Sequence, residues 1–206
     1  MVELAPVPRK GALIMASNHI SHFDPPILSG FFPRRLDWLA MKELFRAGWS
    51  ERAFTWLNCI PVDRSGADRT ALRHAFHRLD DERVIGIFPE GGLRAGEWSI
   101  INGAAMKPGL AMLSIHSGAP IIPCVLIGSD RLYKPDNWLR RTSLYLIIGD
   151  AIEPPKEDAR QSAARERFAA DLSQAFISLK EEAMARFHLS EEDLPQTPQA
   201  RKGIHP

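Results

Sequence analysis

Short, almost uninterrupted apolar runs recur along this chain, and they constrain its fold more than any other feature. They occupy residues 12–17, 36–41, 84–88, 121–127 and 144–148. Runs of this length, apolar on both alternating faces, are typical of strands that are buried on both sides. Segments with helical spacing separate them. This alternation predicts a single α/β domain in which helices flank a central, mostly parallel or mixed sheet.

Helical patterns fill most of the intervening segments. Predicted helices span about residues 25–31, 43–57, 68–79, 111–116 and 159–187, and residues 59–63 are predicted to be extended. In the helix over 68–79, the spacing predicts that the inward residues are Leu72, Ala75, Phe76 and Leu79. We assign residues 1–190 to the domain. Residues 191–206, which are polar and contain proline, are predicted to form a flexible tail.

Composition narrows the classes of function. The 206 residues carry a formal net charge of +1, so nucleic acid is not an expected partner and any bound anion needs local positive charge. Cys59 and Cys124 are the only cysteines, and they suit core positions in a reducing compartment. The N-terminal residues lack the apolar run of a signal peptide. No run approaches the roughly 18 apolar residues that cross a bilayer, so we expect no membrane-spanning helix.

A polar segment with Asn18, His19, His22 and Asp24 follows the first apolar run directly. Histidine can act as a general base near neutral pH. A carboxylate five residues later can accept a hydrogen bond from one imidazole nitrogen and leave the other to take a proton. The alternative is a loop histidine beside a helix-capping aspartate, because such spacings arise often by chance.

Two further apolar segments, residues 60–62 and 84–88, are followed closely by charged residues. Asp63 and Arg64 follow the first of them, and arginine suits bidentate phosphate binding, although a surface salt bridge is the simpler explanation. Glu90 and Gly91 follow the second, where glycine permits close approach of backbone to a ligand and Glu90 can hold a hydroxyl or a cation. An ordinary connection from strand to turn is the alternative for this segment.

In their order along the chain, these segments resemble the glycerolipid acyltransferases, which include the lysophosphatidic acid and glycerol-3-phosphate acyltransferases. The resemblance covers about residues 10–150 and rests on the HX4D spacing of His19 and Asp24 after Asn18, on Asp63-Arg64, on Phe88-Pro89-Glu90-Gly91 and on the strand around Pro123. The stretches around Lys42 and Lys107 are also similar. The family's third block usually continues Thr-Arg-Ser, whereas Gly92-Leu93-Arg94 follows here, so Leu93 occupies the usual arginine position.

The resemblance implies a glycerol-3-phosphate acyltransferase-like fold and an O-acyltransferase. His19 would be the base and Asp24 its partner. Arg64, with Lys42 and Arg94, would bind the acceptor phosphate, while Glu90 and Gly91 would line the glycerol part. The acyl donor would be acyl-CoA or acyl carrier protein, and the acceptor a lysophospholipid, foremost 1-acylglycerol-3-phosphate, giving phosphatidic acid. No metal or bound cofactor is expected, because a thioester is already activated.

A lipid acceptor implies a cytoplasmic protein that binds peripherally to the inner face of the membrane. Phe31, Phe32, Arg34 and Arg35, with the aromatic face of residues 43–57, could form an interfacial patch, although a core role for these aromatics is as good an explanation. The altered segment at Gly92-Leu93 favours, as one alternative, a different lyso-lipid acceptor such as an amino-acid-containing lysolipid or a glycolipid precursor.

Two other classes of function are compatible with the sequence. The chain could be a lipid- or acyl-carrier-binding protein without turnover, although a pure binder needs no general base. A zinc hydrolase built on His19, His22 and Asp24 is the remaining alternative, and no other group of histidines and acids is obviously placed to complete such a site.

Overall fold

The computed structural model describes residues 2–41, 52, 59–62, 69–134, 136–139, 142–156 and 162–197. The strands are β1 (Val2–Leu4), β2 (Leu13–Ser17), β3 (Leu36–Met41), β4 (Ile60–Val62), β5 (Val84–Ile87), β6 (Ile121–Ile127) and β7 (Tyr145–Ile148). The described helices are α1 (Asp24–Phe31), α2 (Arg69–Asp80), α3 (Gly109–Ser117), α4 (Asp136–Leu139) and α5 (Ser162–Phe187). The helix predicted over 43–57 lies outside the described residues, apart from Arg52.

The strands form one seven-stranded sheet in the order β1-β7-β6-β2-β5-β3-β4. Five neighbouring strands, from β6 to β4, run parallel, and β7 pairs antiparallel with β6. β1 then pairs parallel with β7 at the edge. The predicted α/β class and mixed sheet are therefore confirmed. The edge strand β1 was not predicted, because three residues do not make a recognisable periodic pattern.

The apolar runs divide their side chains between two cores because successive strand residues point to opposite faces. On β2, Ile14 and Ala16 pack into the larger core, beneath the helices α2, α3 and α5. Leu13 and Met15 pack into the core under α1. All five residues of β2 are buried, which explains why the run shows no polar alternation.

Helix α2 buries Ala75 and Leu79, as the spacing predicted, and Phe76 is half-buried. Ala71, Ala75 and Leu79 are buried, whereas Leu72, predicted to point inward, is 39% exposed. The three small or medium side chains lie at a strict four-residue spacing, which lets the helix approach the sheet closely. Leu72 lies at the rim of a groove that His19 also lines.

The predicted interfacial patch is only partly exposed. Phe31 is 50% exposed, but Phe32 packs in the core under α1 and is 5% exposed. The Arg34 guanidinium donates hydrogen bonds to the carbonyls of Pro8, Gly11 and Glu82. It thereby joins its own loop, between α1 and β3, to the loop before β2 and the loop before β5. Within the described chain, no helix combines the length and the apolar character that crossing a bilayer requires.

The segment after α5 contacts the domain. Asp193 pairs with Arg131 at 2.8 Å, and Leu194 is 8% exposed. A capping box formed by Ser190 and Asp193 starts a single helical turn there. The domain boundary at residue 190 stays a prediction, and residues 198–206 lie outside the described chain.

Candidate active site

The carboxyl ends of three adjacent parallel strands bring together residues that are far apart in sequence. His19 follows β2, Glu90 follows β5 and Ser129 follows β6. Because β5, β2 and β6 are parallel neighbours, these ends lie at one edge of the sheet. This edge is where open α/β sheets bind ligands.

His19 and Asp24 form a hydrogen-bonded pair at this edge. His19 Nδ1 lies 2.9 Å from Asp24 Oδ2. A side-chain exposure of 17% leaves the imidazole accessible, whereas Asp24 is 1% exposed. The carboxylate oxygen accepts, so Nδ1 carries the hydrogen and Nε2 is the nitrogen that can accept a proton.

The Asp24 carboxylate is held by three further donors. Its Oδ2 accepts the backbone N–H groups of Ile20 and Ser21, each at 2.8 Å. Its Oδ1 accepts the hydroxyl of Ser129, which is fully buried at the end of β6. Asp24 also begins α1, where negative charge is favoured at a helix N-terminus. The carboxylate is therefore fixed in position and fully hydrogen-bonded despite its burial.

Glu90 binds the backbone of His19 and not its ring. Its Oε2 accepts the His19 N–H at 2.6 Å, while its Oε1 accepts the Ser99 hydroxyl and the Ile100 N–H. Burial raises the pKa of Glu90, and the hydrogen bonds from Ser99, Ile100 and His19 oppose that rise. Both oxygens are thus bonded to protein donors, and Glu90 holds the His19 backbone. The contact with the acceptor that the resemblance implies stays a prediction.

The His19 ring rests on a stack of aromatic side chains. It lies 3.9 Å from the Phe88 ring, centroid to centroid, at an interplanar angle of 15°. Phe88 in turn stacks on Trp38 at 4.8 Å. Trp38 pairs in register with Gly86, where an added Cβ would lie 2.8 Å from the indole. Glycine at position 86 therefore makes room for the ring that supports this stack.

Asn18 continues β2 by one residue through its side chain. Its Nδ2 donates to the carbonyl of Leu126, and its Oδ1 accepts the Leu126 N–H, both at 2.9 Å. A buried side-chain amide thus satisfies the two backbone groups that a further strand residue would pair with. The chain can leave the sheet at this point, and His19 is the next residue.

A groove of about 550 Å³ opens beside the His19 ring. His19, His22 and Lys107 line its polar part, and Gly91 and Leu93 lie along it. Its remaining wall is mostly apolar and includes Leu39, Val62, Ala71, Leu72, Leu110 and Leu113. Cys59 also lines the groove, where burial, with a smaller contribution from Asp37, raises the pKa of its thiol to about 12.

The predicted phosphate-binding residues are placed only in part. Lys42 and Arg64 lie outside the described residues. The Arg94 N–H donates to the His19 carbonyl at 2.8 Å, and the Arg94 side chain is exposed, without lining the groove. Gly91 lines the groove with φ +69°, a conformation that favours glycine.

His22 does not join His19 and Asp24 in a metal-like cluster. Its Nδ1 lies 2.5 Å from the Tyr133 hydroxyl, which also accepts the His22 backbone N–H at 3.0 Å. Across the part of the chain that the structure describes, no three histidine, cysteine or acidic residues are grouped as metal ligands would be. The geometry therefore gives no support to a zinc site on His19, His22 and Asp24.

Several residues of this site were not predicted from the sequence. Ser129, Ser99 and Trp38 carry no local motif, and each reaches the site only through the order and register of the strands. Gly86 could have indicated the position of Trp38, because a glycine inside an apolar strand indicates that another group approaches closely.

The model of the Acyltransferase family matches residues 2–127, which include His19, Asp24 and Glu90. The chain belongs to the Acyltransferase family. This acyltransferase is similar to a 1-acyl-sn-glycerol-3-phosphate acyltransferase from Bacillus subtilis, with 24% identity over 80% of this chain and 77% of that protein. It is also similar to an N-acylphosphatidylethanolamine synthase from Arabidopsis thaliana, with 29% identity over 68% of this chain and 56% of the plant protein.

The fold of this acyltransferase resembles that of a solved structure. The 1-acyl-sn-glycerophosphate acyltransferase from Thermotoga maritima superposes with a TM-score of 0.64 over 87% of this chain and 72% of that protein, at 21% identity. At 21% identity, this similarity shows a shared fold alone.

Proposed function

We propose that this acyltransferase moves a fatty acyl group from acyl-CoA or acyl carrier protein to the free hydroxyl of 1-acylglycerol-3-phosphate, which yields phosphatidic acid. One observation carries the proposal: His19 Nδ1 is hydrogen-bonded to Asp24 Oδ2 at 2.9 Å, while the His19 ring lines a groove with an apolar wall. A base at the polar end of an apolar groove suits the acylation of a hydroxyl by a fatty thioester.

In the proposed reaction, His19 Nε2 takes the proton of the acceptor hydroxyl as its oxygen attacks the thioester carbonyl carbon. A C–O bond forms and the carbonyl oxygen becomes an oxyanion. When the intermediate collapses, the C–S bond breaks and the thiolate receives the proton from the His19 imidazolium. Asp24 holds the ring in one tautomer and stabilises its positive charge in between. The free base is then restored for the next turnover.

The apolar part of the groove would hold an acyl chain. Leu72, Leu110 and Leu113 present aliphatic side chains to it, and water leaving such a surface favours binding of a hydrocarbon. Glu90 would act by holding the His19 backbone. A thioester is already activated, so we propose that the transfer needs no bound cofactor.

The similarity to 1-acyl-sn-glycerol-3-phosphate acyltransferases supports the acceptor. One such relative, from Bacillus subtilis, aligns with most of this chain, and a second, from Borreliella burgdorferi, is 27% identical over 62% of it. We therefore place the enzyme in phospholipid biosynthesis. A lipid acceptor requires contact with a bilayer, and we propose peripheral binding at the inner face of the membrane. The exposed residues Phe31 and Arg35 are candidates for that contact.

An aminophospholipid is the second candidate acceptor. The similarity to an N-acylphosphatidylethanolamine synthase favours it, because such a reaction acylates an amine and not a hydroxyl. His19 would take a proton from the attacking amine in the same way. The two candidates differ in the product bond, which is an ester in one case and an amide in the other.

The test is thiol release from acyl-CoA by the purified protein against a panel of acceptors, with lipid products identified by mass spectrometry. The panel contains 1-acylglycerol-3-phosphate, other lysophospholipids and phosphatidylethanolamine. Ester formation on 1-acylglycerol-3-phosphate, lost by about 100- to 10,000-fold in His19→Ala, is the expected result. Amide formation would favour the second candidate. Tight acyl-CoA binding without thiol release on any acceptor would indicate a binding protein without turnover.

A further inference from the structure

One lysine lines the polar end of the groove. Among the described residues along this groove, Lys107 is the only lysine or arginine. Its side chain is exposed, and no carboxylate in the described part of the chain pairs with its ammonium group. A positive charge therefore faces a site whose other wall is mainly apolar.

The position of Lys107 is tied to that of His19 through the Phe88–Gly91 turn. The Lys107 N–H donates to the carbonyl of Pro89 at 2.8 Å. The aliphatic stem of Lys107 passes close to Gly91, as a Cβ added to that glycine would lie 3.2 Å from Lys107 Cε. Glu90, between these two contacts, binds the His19 backbone. A ligand held by the Lys107 ammonium thus lies in the same groove as the His19 ring.

Among the described residues next to Lys107, none adds a second cation to this end of the groove. Leu93 lines it with an apolar side chain, and the Arg94 side chain is exposed outside it. A phosphate monoester brought beside an apolar wall loses hydration and needs an opposite charge in return. Lysine supplies a compact ammonium with three donors on a flexible stem, which suits a phosphate whose oxygens are equivalent.

We propose that Lys107 determines acceptor specificity by binding the phosphate of the acceptor. This inference rests on the proposed function, since it takes the acceptor to be a glycerolipid with a phosphate monoester. Lys107 selects acceptors that carry this charge over neutral acylglycerols of the same chain length. It orients the acceptor so that the free hydroxyl reaches His19, and it takes no part in proton transfer.

The test compares wild type, Lys107→Met, Lys107→Arg and Lys156→Met with one acyl-CoA donor. Lys156 is an exposed lysine that does not line the groove, so its variant controls for the loss of one positive charge. Each protein is assayed with 1-acylglycerol-3-phosphate and with monoacylglycerol of the same acyl chain. Methionine retains the length of the apolar stem across Gly91, so the fold is expected to persist, and circular dichroism checks this.

Lys107→Met should raise the KM for 1-acylglycerol-3-phosphate by about 10- to 100-fold, the range for a hydrogen bond to a charged group. Lys107→Arg should recover most of that loss, and Lys156→Met should match wild type. The KM for acyl-CoA and the rate with monoacylglycerol should stay within about twofold of wild type, which fits a contact made only by the phosphate.

Two results would overturn the assignment of Lys107 alone. One is an unchanged acceptor KM in Lys107→Met while wild type acylates 1-acylglycerol-3-phosphate. The other is an equal loss with the neutral acceptor or a raised KM for the donor, which would mean a structural or donor-binding role. If wild type acylates no phosphate-bearing acceptor at all, the proposed function fails, and the Lys107 assignment fails with it.

Discussion

Ser129 donates its hydroxyl hydrogen to Oδ1 of Asp24, the carboxylate oxygen that does not face His19. The two residues are 105 positions apart in sequence, and both are buried. Ser129 begins the turn that follows β6, whereas Asp24 begins α1. The orientation of the His19 ring therefore depends on the relative placement of two elements that the chain brings together only through the sheet.

Ser129→Ala is expected to lower kcat by up to about 100-fold, because the Asp24 carboxylate loses the donor to Oδ1 and can turn, which lets the imidazole leave its productive orientation. The acceptor KM should change little, since Ser129 does not line the groove. Ser114→Ala is the matched control. Ser114 is equally buried, and its hydroxyl donates to the Ala119 carbonyl, away from the site. Steady-state kinetics that show equal kcat losses in both variants would contradict the prediction.

Glu90→Gln should reduce both stability and kcat. Glu90 accepts hydrogen bonds at both carboxylate oxygens, so the amide NH2 of glutamine must face one of these donors wherever it points. Leaving buried donors unpaired costs about 1–3 kcal/mol. Urea denaturation measures this cost, and wild-type stability in the variant would exclude it.

The raised pKa of Glu90 also predicts a pH dependence of stability. Between the ordinary pKa of glutamate, about 4.3, and the higher pKa in the fold, the folded state binds more protons at this group than the unfolded state does. The contribution of Glu90 to the free energy of unfolding is therefore largest at low pH and falls as pH rises through this window. The stability difference between wild type and Glu90→Gln should therefore shrink as the pH rises above the ordinary pKa of glutamate, about 4.3. A difference that grows over this range would contradict the sign.

Gly86→Ala should destabilise the protein by about 1–3 kcal/mol, because the new methyl group would overlap the Trp38 indole. Displacing Trp38 also disturbs Phe88 beneath the His19 ring, so kcat should fall. Gly30→Ala in α1 is the control, since an added Cβ there meets no atom within 4 Å. Thermal unfolding compares the two. Combining Gly86→Ala with Trp38→Leu should restore part of the stability if the clash is the cause.

Leu72→Trp should shift the enzyme towards donors with shorter acyl chains. Leu72 is 39% exposed at the rim of the groove, so a larger side chain can be accommodated without disturbing the core. The ratio of kcat/KM for a long-chain to a short-chain acyl-CoA should fall by about tenfold or more. A uniform loss with every chain length would mean that the acyl chain lies elsewhere.

The elements most visible in the sequence are those whose signal is local. The runs at β2, β5 and β6 are apolar on both faces because helices cover both sides of the sheet, and their positions could be predicted to within a residue or so. His19 and Asp24 could be paired in advance because a loop of four residues lets them meet. Their predicted catalytic roles stay predictions until turnover is measured.

What could not be predicted depends on contacts between distant segments. Ser129 is one of many serines in the chain, and only the order of β6 beside β2 brings it to Asp24. The hydrogen bonds of Glu90 were similarly hidden, because the sequence shows an acid after a strand but not the three donors that surround it. Leu72 was predicted to be buried but lies at the rim of the groove, because Ala71, whose small side chain carries little weight in an apolar pattern, is buried in its place.

The hydrogen bonds between Asn18 and Leu126 couple the unfolding of the site to the unfolding of the sheet. Because the side chain of the residue before His19 is hydrogen-bonded to β6, we expect the His19 backbone to stay in place while β2 and β6 remain paired. We therefore expect no local unfolding of the site that inactivates the enzyme while the sheet stays folded. On heating, loss of turnover and loss of the native sheet should occur as one cooperative event, with no inactive but folded species between them.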